Sequence, residues 1–407
     1  MQNIYLMPFS AKSVLLYHVL VGKKVSVKGF FDNDDNVKEQ KYCDCPISSP
    51  LNMAETHHDT AIILCEPRHY DANKEQLDLL GHVKICYIED WMTLEEAELS
   101  ISCVDSESLL SIAPRQANAL KILPLTIRKL VLPAGISDNR SLVIDILQLI
   151  VTEKCTLKCR HCANLMQYFT NPQHMNLEQI YRDIDLLFSK ADWVRSFFIF
   201  GGEAFLYKEF QKVMSYLTRF KKQIGGLCVT TNGTIVPSDD TLHAMRECGM
   251  SVGISDYGKH SLRIDDLVNK LEVYQIPHSR LNFKWYNYQQ LLSPNDNRDA
   301  QIVFSTCKER CVSLRNGLLY RCPFLVHAET LQAIPYNTEN HIDISLNSVT
   351  KADIIKYLAA PEKHTTTPPP GCAYCSGYDI GNMREVPVAE QVEKPLPYIK
   401  YEHKGVQ

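Results

Sequence analysis

The first 120 residues alternate short apolar runs with a segment whose apolar residues recur at helical spacing. Residues 10–22 carry that helical stripe. The apolar runs that predict strands lie at 3–7, 25–34, 60–66 and 83–90. Strands that alternate with helices are typical of a parallel, doubly wound sheet. The pattern therefore predicts an α/β domain over residues 1–120.

After a connecting segment at 121–140 with no clear pattern, the alternation resumes with longer units. Strands are predicted at 141–151, 194–200, 227–231, 250–255 and 279–286. Helices are predicted at 176–191, 208–220, 239–249 and 261–275, the third closed by Gly249. Glycine, asparagine and serine residues follow these strands, as at the active face of a parallel barrel. Residues 141–300 are thus predicted to form a parallel barrel or part of one.

The pattern changes after residue 300. Residues 301–380 contain short β-like runs and a predicted hairpin around Asn316-Gly317. The polar segment 287–300 and the proline-rich segment 365–371 are predicted loops. Residues 381–407 are predicted to form an extended tail.

Composition excludes several classes of function. The chain has 407 residues, 45% of them hydrophobic, and a net charge of −4, which gives no broad positive surface for nucleic acid. No apolar run approaches the length that spans a bilayer. The first twenty residues lack a basic region and a cleavage site typical of a signal peptide. We therefore expect a cytoplasmic protein that binds neither nucleic acid nor membrane.

The chain contains 15 cysteines, an odd and large number. Without export signals this favours reduced thiols or metal ligands over a disulfide framework. No role is assigned to the cysteines of the first domain, because free cysteine is common in buried strands; they are Cys43, Cys45, Cys65, Cys86 and Cys103. His57, His58 and Asp59 are expected to form a solvated loop.

Three cysteines follow the first predicted barrel strand in the run TEKCTLKCRHCAN. Cys155, Cys159 and Cys162 are spaced x3 and x2. Such a group is compatible with zinc or with chance clustering. It also suits a 4Fe–4S cluster, because three thiolates leave one iron open for an external ligand, as a catalytic zinc keeps one position free.

This spacing resembles the signature of the radical S-adenosylmethionine (SAM) superfamily. The resemblance extends to GGEAFLY after the second barrel strand and to TTNGT after the third. It implies a partial (β/α)6 radical SAM barrel that binds a 4Fe–4S cluster and SAM. The activity implied is reductive cleavage of SAM to a 5′-deoxyadenosyl radical, which abstracts a hydrogen atom from a substrate.

The same resemblance assigns cofactor contacts at the ends of the barrel strands. Glu203 corresponds to the family's glycine–glycine–glutamate motif, which holds the amino group of SAM. Ser255 and Asp256 lie where the family places groups near the ribose, and which of the two faces it stays open. His161 precedes the third cysteine and is expected against the adenine. The other assigned contacts are Gly201, Gly202, Thr231 and Asn232.

The late cysteines resemble the shortened "twitch" form of the SPASM extension. Cys307 precedes the predicted hairpin and Cys322 follows it, with Cys372 and Cys375 as a later CxxC pair. The resemblance implies a β-hairpin domain with a second, auxiliary 4Fe–4S cluster. Zinc suits four cysteines as well. Cys311 is the alternative to Cys307.

The first domain is similar to the small Rossmann-like domain of several sugar-modifying enzymes. Its first turn, PFSAKS, lacks the glycines that cradle phosphates, and Asp32 is more simply a turn residue than a ribose-binding acid. This similarity favours a carbohydrate or nucleotide-linked sugar as substrate. The alternatives are a ribosomal peptide substrate and a non-catalytic iron–sulfur sensor. A low-potential electron donor such as flavodoxin or ferredoxin is expected as partner.

Overall fold

The chain forms two compact units, Met1–Ile136 (unit 1) and Ser137–Gln407 (unit 2). The computed structural model describes residues 3–51, 60–78, 84–137, 141–282, 284–292, 298–359, 367–379 and 383–402. The predicted loop residues His57, His58 and Asp59 lie outside these ranges.

Unit 1 is built on one six-stranded sheet. Its strands are β1 (Asn3–Met7), β2 (Val27–Phe31), β3 (Lys41–Tyr42), β4 (Cys45–Ser48), β5 (Thr60–Leu64) and β6 (Lys84–Tyr87). Its helices are α1 (Ala11–Gly22), α2 (Tyr70–Asp78), α3 (Leu94–Ser100), α4 (Ser106–Ile112), α5 (Ala117–Lys121) and α6 (Leu123–Leu130). The four strands and the first helix predicted from the apolar pattern are confirmed, the first strand with the predicted bounds and the other elements with shorter ones.

The strand order in unit 1 is β3-β4-β2-β1-β5-β6. All neighbouring pairs are parallel except β3–β4, which is an antiparallel pair at the edge. Buried side chains of β1, β2, β5 and α2 form a core cluster of Met7, Phe31, Ile62, Leu64 and Leu77. The predicted parallel α/β domain is therefore present.

The predicted boundary of this domain at residue 120 is too early. α6 lies in the segment predicted to connect the domains, and unit 1 continues to Ile136. Leu123 and Ile127 of α6 are buried, and α6 packs against α1 and α3. Because α6 is short and begins with a proline at its second position, its apolar residues form too brief a pattern to stand out in the sequence.

Unit 2 contains a longer succession of strands and helices. Its strands are β7 (Val143–Thr152), β8 (Trp193–Gly201), β9 (Ile224–Thr231), β10 (Ser251–Ser255), β11 (His278–Leu281), β12 (Trp285–Tyr286), β13 (Cys311–Arg315), β14 (Leu318–Tyr320), β15 (His341–Asp343) and β16 (Glu385–Val386). Its helices are α7 (Leu177–Lys190), α8 (Phe210–Leu217), α9 (Asp239–Glu247), α10 (Ile264–Val273), α11 (Ala300–Thr306), α12 (Pro323–Thr330) and α13 (Lys351–Leu358).

The main sheet of unit 2 has the order β11-β10-β9-β8-β7-β13-β14-β15. β7 to β11 are parallel and adjacent in chain order, with α7 to α10 between them. Five parallel strands of this sheet come from residues 141–300, the range predicted for the barrel. A sixth parallel strand, β13, pairs with β7 on the opposite side of the sheet and comes from the segment after residue 300.

The predicted strand 279–286 is also wrong in its extent. It divides into β11, which joins the main sheet, and β12, which pairs antiparallel with β16 near the end of the chain. β16 and the residues after it were predicted to form an extended tail. A pairing between segments about a hundred residues apart carries no local signal in the sequence.

The predicted hairpin is confirmed. β13 and β14 are antiparallel and joined by Asn316 and Gly317, both with positive φ (53° and 76°), as a two-residue turn requires. Asp183 of α7 accepts hydrogen bonds from both of their backbone N–H groups at 2.8 Å. The hairpin therefore belongs to the main sheet and does not form a separate domain after the barrel.

The core of unit 2 lies between the parallel strands and α7 to α10, with buried residues such as Leu147, Ile184, Val213, Ile254 and Leu271. No described helix in either unit combines the length and apolar character that a membrane crossing requires.

Candidate active site

The loop that carries the first three cysteines starts at the carboxyl end of β7 and is held against the end of β8. The backbone N–H of Gly202 donates to the Thr152 carbonyl at 3.0 Å, and that of Glu203 donates to the Lys154 carbonyl at 2.8 Å. A Cβ atom on Gly202 would lie 2.5 Å from the Lys154 oxygen. Glycine is required here because the two backbones approach too closely for any side chain.

The three thiols of this loop lie close together. Burial raises the pKa of the Cys155 thiol above its usual value, and the negative charges of Cys162 and Cys159 raise it further. Burial and the charge of Cys162 raise the pKa of Cys159 to about 12. A bound iron ion takes the place of the thiol proton and stabilises the thiolate. The three cysteines are therefore a donor set that fits an iron–sulfur cluster.

The described residues do not form a site for a single metal ion. Among the described residues, no group of three or more His, Cys, Asp and Glu side chains is arranged to hold a single metal ion. A cubane cluster does not need that arrangement, because each cysteine ligates a different iron and the sulfur atoms stay several ångströms apart.

Glu203 is buried beneath the cysteine loop and is fully engaged with the protein. Its carboxylate accepts hydrogen bonds from the Thr231 hydroxyl (3.0 Å) and from the backbone N–H groups of Asn232 (2.9 Å) and Phe205 (3.2 Å). Its side chain is completely shielded from solvent. Burial raises the pKa of this carboxyl to about 7, against the lowering effect of these hydrogen bonds. Glu203 thus joins the ends of β8 and β9.

Asn232 connects the TTNGT turn to the cysteine loop. Its side-chain amide donates to the Thr156 hydroxyl at 3.0 Å and lies 3.6 Å from the Cys155 sulfur. The Thr231 hydroxyl donates a hydrogen bond to the Glu203 carboxylate and so helps to fix the position of Glu203. Asn232 is therefore in contact with the cysteine loop, whereas Thr231 is connected to it through Glu203.

A cavity of about 690 Å³ opens beside Cys162 at the carboxyl ends of β8 to β10. His161 and Ser255 line it. Asp256, which follows Ser255 directly, forms an ion pair with Arg280 at 2.8 Å and accepts the Gly258 N–H. These bonds hold the pKa of Asp256 below its usual value, with the Gly258 bond as the main cause. Of these two neighbours, Ser255 is the one that faces the cavity.

Aromatic side chains form much of the remaining wall of this cavity, and none was identified from the sequence. The ring of Tyr257 meets Trp285 edge to face at 5.1 Å between centroids, and Tyr288 stacks on Tyr378 at 4.6 Å. Aromatic residues of the wall are Phe200, Tyr257, Trp285, Tyr286, Tyr288 and Tyr378, with Asn282 and Lys284 as polar neighbours. Phe200, directly before Gly201, and Tyr257, in GISDYG, stand next to motifs that could have indicated them.

The segment after β16 packs on the cysteine loop. Gln391 forms an antiparallel bridge with Cys159, and its amide group donates to the Cys159 sulfur at 3.2 Å. The amide oxygen accepts the Lys158 N–H at 2.7 Å. The Arg160 guanidinium pairs with Glu390 at 2.8 Å. The region predicted as a tail is therefore part of this site.

The four late cysteines also come together. Cys307 ends α11, Cys322 caps the amino end of α12, and Cys372 and Cys375 lie in and just after a short 3-10 helix, Pro370–Tyr374. Burial raises the pKa of Cys322, and the charges of Cys372, Cys375 and Cys307 add to that effect. The Cys322 thiol therefore lies near enough to Cys307, Cys372 and Cys375 for their charges to interact.

Cys311 begins β13 and shares Glu309 with Cys307 as a charged neighbour, but none of the other late cysteines contributes to its pKa. Burial and the charge of Glu309 raise the pKa of the Cys311 thiol. The Arg321 guanidinium stacks over Phe304 at 4.6 Å and counters the negative charge around Cys372, whose pKa burial raises to about 12. A half-buried cation near Cys307, Cys322 and Cys372 would favour a negatively charged cluster at these thiols.

Comparison with known proteins identifies the segment of the chain that contains this site. Residues 149–257 match the family model of the Radical SAM superfamily. This range includes the three cysteines, the glycine–glycine–glutamate run and Ser255. No curated protein matches the chain in sequence.

Several solved structures are similar to part of the chain. They include anSMEcpe with bound AdoMet (20% identity, 33% of this chain, 43% of that chain, TM-score 0.28). BtrN in complex with AdoMet and 2-DOIA aligns with 62% of this chain and 98% of its own at 18% identity and a TM-score of 0.37. SuiB of Streptococcus suis bound to S-adenosylmethionine aligns over 51% and 55% at 14% identity and a TM-score of 0.25. The chain spans less than two thirds of anSMEcpe and of SuiB.

Proposed function

We propose that unit 2 is a radical SAM enzyme that abstracts a hydrogen atom from a small-molecule substrate. The observation that carries this proposal is the gathering of Cys155, Cys159 and Cys162 in one loop beside a cavity of about 690 Å³. When bound, a 4Fe–4S cluster and SAM would supply reductive cleavage of SAM and hydrogen-atom abstraction from the substrate.

The residues around the cavity have distinct roles in this proposal. Cys155, Cys159 and Cys162 would hold three irons and leave the fourth for SAM. His161 and Ser255 line the cavity and would contact the adenosine part. Gly201 and Gly202 bring the backbone close to the cysteine loop, and their carbonyl groups are candidates for the amino group of SAM. Glu203, with its carboxylate already engaged, would act by positioning this backbone.

A second cluster held by Cys307, Cys322, Cys372 and Cys375 completes the proposal. Cys322 interacts electrostatically with Cys307, Cys372 and Cys375, and the Arg321 cation interacts with Cys307, Cys322 and Cys372, which supports this assignment. Four cysteine ligands would leave no open iron, which suits electron transfer during substrate oxidation. An external low-potential donor, such as flavodoxin or ferredoxin, would deliver the electron that starts each reaction.

The shape and lining of the cavity favour a carbohydrate or nucleotide-linked sugar over a peptide. Its volume falls within the range of about 300–1,000 Å³ that is typical of small-molecule sites. Peptides usually bind along a sheet edge or an open groove. The aromatic wall presents flat apolar faces, and Asn282 and Lys284 supply a few polar groups beside them. A ribosomal peptide remains the second candidate.

Anaerobic reconstitution followed by iron analysis and product detection tests this function. Two clusters give about eight irons per chain, and Cys322→Ala should leave about four, whereas Cys311→Ala should keep eight. Cys159→Ala should abolish formation of 5′-deoxyadenosine from SAM, and Cys103→Ala, at an exposed cysteine of unit 1, should not. A protein with both clusters that cleaves no SAM would refute the proposal.

The substrate class is tested by the same product. Sugars, nucleotide-linked sugars and peptides are added in turn, and the rate of 5′-deoxyadenosine formation is compared with the rate without substrate. Stimulation by a sugar, reduced by Trp285→Ala, supports the carbohydrate assignment. Stimulation by peptides alone would replace it with the peptide alternative.

A further inference from the structure

The cysteine loop has an outer side that does not line the cavity of about 690 Å³. The loop contributes only residues 161–164 to the lining of this cavity. Residues 154–160 instead contact the end of β8, the turn after β9 and the segment after β16. Thr156, in the middle of this stretch, is exposed to solvent. The loop can therefore be approached from solvent on a side that a substrate in the cavity does not occupy.

Basic side chains are concentrated on this outer side. Lys154, Lys158 and Arg160 belong to the loop itself, each directly beside a cysteine. Burial lowers the pKa of His174, and the positive charges of Lys154 and Lys208 lower it further. Both lysines therefore lie near the same ring, and Lys208, which is exposed, extends the basic character to the residues after β8.

The segment after β16 contributes a further cation and an exposed apolar side chain. The backbone N–H of Val392 donates to the Lys158 carbonyl at 2.9 Å, and Lys394, two residues further on, is exposed. Val388 lies two residues before Glu390 and is 40% exposed. Both of these side chains belong to the segment that packs on the cysteine loop.

The positive charges on this side of the loop are largely uncompensated. We call this region the basic surface, and its members are Lys154, Lys158, Arg160, Lys208 and Lys394. Arg160 pairs with Glu390, whereas the four lysines form no ion pair with a described residue. In the whole chain acidic residues outnumber basic ones by 47 to 43, and here the order is reversed. Such a local excess attracts and orients an acidic partner, most strongly at low ionic strength.

The position and the extent of the basic surface indicate the class of partner. Its cations come from three separate segments of the chain, so they match a broad acidic protein surface better than a single phosphate or carboxylate group. They lie on the outer side of the loop that holds the three cysteines. Electron transfer slows steeply with distance, and this side offers a close approach to a cluster held there. Val388 adds an apolar contact of the kind that the exposed edge of a flavin ring can use.

We propose that the basic surface docks flavodoxin, a small acidic protein that carries a low-potential flavin. This inference rests on the function proposed for unit 2 and names the docking site of its electron donor. Reduced flavodoxin donates one electron to the cluster proposed at Cys155, Cys159 and Cys162 and departs in its one-electron oxidised form, while no bond forms or breaks. Because the basic surface and the cavity share no residue, flavodoxin can dock while substrate is bound.

Isothermal titration calorimetry with the full-length reconstituted protein tests the docking. Oxidised flavodoxin is titrated at about 50 mM and at about 500 mM sodium chloride, and a ferredoxin and a single-stranded RNA are titrated separately. Flavodoxin should bind at the lower salt concentration. Its dissociation constant should rise at least about tenfold at the higher one, because exposed charges are screened. No binding of flavodoxin, or preferential binding of ferredoxin or of RNA, would overturn the proposal.

Two charge-reversal variants locate the site. Lys208→Glu combined with Lys394→Glu should weaken flavodoxin binding at low salt by at least about tenfold, because two attractive charges become repulsive. Lys221→Glu combined with Lys222→Glu changes the net charge equally but lies just before β9, at the opposite end of the sheet from the cysteine loop. This control should bind flavodoxin as the unchanged protein does. Equal weakening in both variants would show an effect of net charge alone and overturn the site.

A comparison of two reductants separates this inference from the function on which it rests. Dithionite is a small reductant that needs no docking surface, so the 5′-deoxyadenosine formed with it should be the same in the unchanged protein and in both variants. The reaction driven by flavodoxin should slow by about tenfold only in the variant at Lys208 and Lys394. Absence of SAM cleavage with dithionite in the unchanged protein would refute the proposed function, whereas the calorimetry reports on docking by itself. Equal rates of the flavodoxin-driven reaction in all three proteins would overturn the docking site.

Discussion

The side-chain amide of Gln391 donates a hydrogen bond to the sulfur of Cys159 at 3.2 Å, although the two residues are separated by most of unit 2 along the chain. The same side chain accepts the backbone N–H of Lys158 at 2.7 Å. Gln391 therefore contacts a proposed cluster ligand and also holds the loop that carries it. Hydrogen bonds to ligand sulfurs are one of the means by which proteins set cluster potentials.

Substitution of Gln391 by methionine should lower the reduction potential of the cluster bound to Cys159. Loss of the N–H donor leaves more negative charge uncompensated on the sulfur, which disfavours the reduced state. A hydrogen bond of about 1 kcal/mol corresponds to roughly 40 mV for a one-electron couple. A redox titration followed by electron paramagnetic resonance measures the shift, with Glu393→Ala, at an exposed residue of the same segment, as control. An unchanged potential with full iron content would remove Gln391 from this role.

Substitution of Gly202 by alanine should prevent stable binding of the same cluster. The new Cβ would lie 2.5 Å from the Lys154 carbonyl oxygen and 2.9 Å from the Cys155 Cβ, so the cysteine loop must move. Iron content should fall to about four per chain, the share of the auxiliary cluster. Gly253→Ala is the matched control in the same sheet, because its Cβ would meet other atoms at ordinary distances of 3.7 Å or more. Full iron content in Gly202→Ala would contradict the close approach described here.

Substitution of Asp183 by alanine should destabilise unit 2. The carboxylate accepts the N–H groups of Asn316 and Gly317, and Asp183 is only 2% exposed. Its loss leaves two donors of the hairpin turn without their partner, at a cost of about 2–4 kcal/mol in the free energy of unfolding. Chemical denaturation measures this change, and Asp185→Ala on the same helix should cost under about 1 kcal/mol because its bond to Tyr216 is exposed. Equal losses in the two variants would argue against the role of Asp183.

His327 should make the stability of unit 2 sensitive to mild acid. Burial lowers its pKa to about 3, and neither ring nitrogen has a hydrogen-bond partner among the described residues. The unfolded chain therefore takes up a proton below about pH 6.5 that the folded chain takes up only near pH 3. This contribution is complete above pH 6.5 and is lost as the pH falls, by about 1.4 kcal/mol at pH 5.5.

The variant His327→Leu isolates this effect. Its free energy of unfolding should fall less between pH 7 and pH 5.5 than that of the unchanged protein, by about the same 1.4 kcal/mol. His260→Leu, at a partly exposed histidine of unit 2, should keep the original pH dependence. Identical pH profiles for all three proteins would show that His327 does not govern acid sensitivity.

The local sequence pattern was sufficient to predict the elements whose residues interact mainly with their neighbours in the chain. The strands of both sheets alternate with helices, and the hairpin turn at Asn316-Gly317 follows from residues that accept positive φ. The x3 and x2 spacing of the first three cysteines restricts them to one short loop. The sequence also grouped Cys307 with Cys322, Cys372 and Cys375, and in the fold the Cys322 thiol interacts electrostatically with the other three.

Tertiary structure decided the features that depend on distant segments. β13 lies beside β7 and not after β11, and Gln391 reaches Cys159, because backbone hydrogen bonds pair strands irrespective of their distance along the chain. The choice between Ser255 and Asp256 depended on Arg280, which pairs with the acid and leaves the serine to face the cavity. Glu203 was assigned to a ligand by its motif, yet burial and three hydrogen bonds direct its carboxylate towards the protein. Sequence determined which groups are present, whereas the packing of remote segments determined which of them remain available for binding.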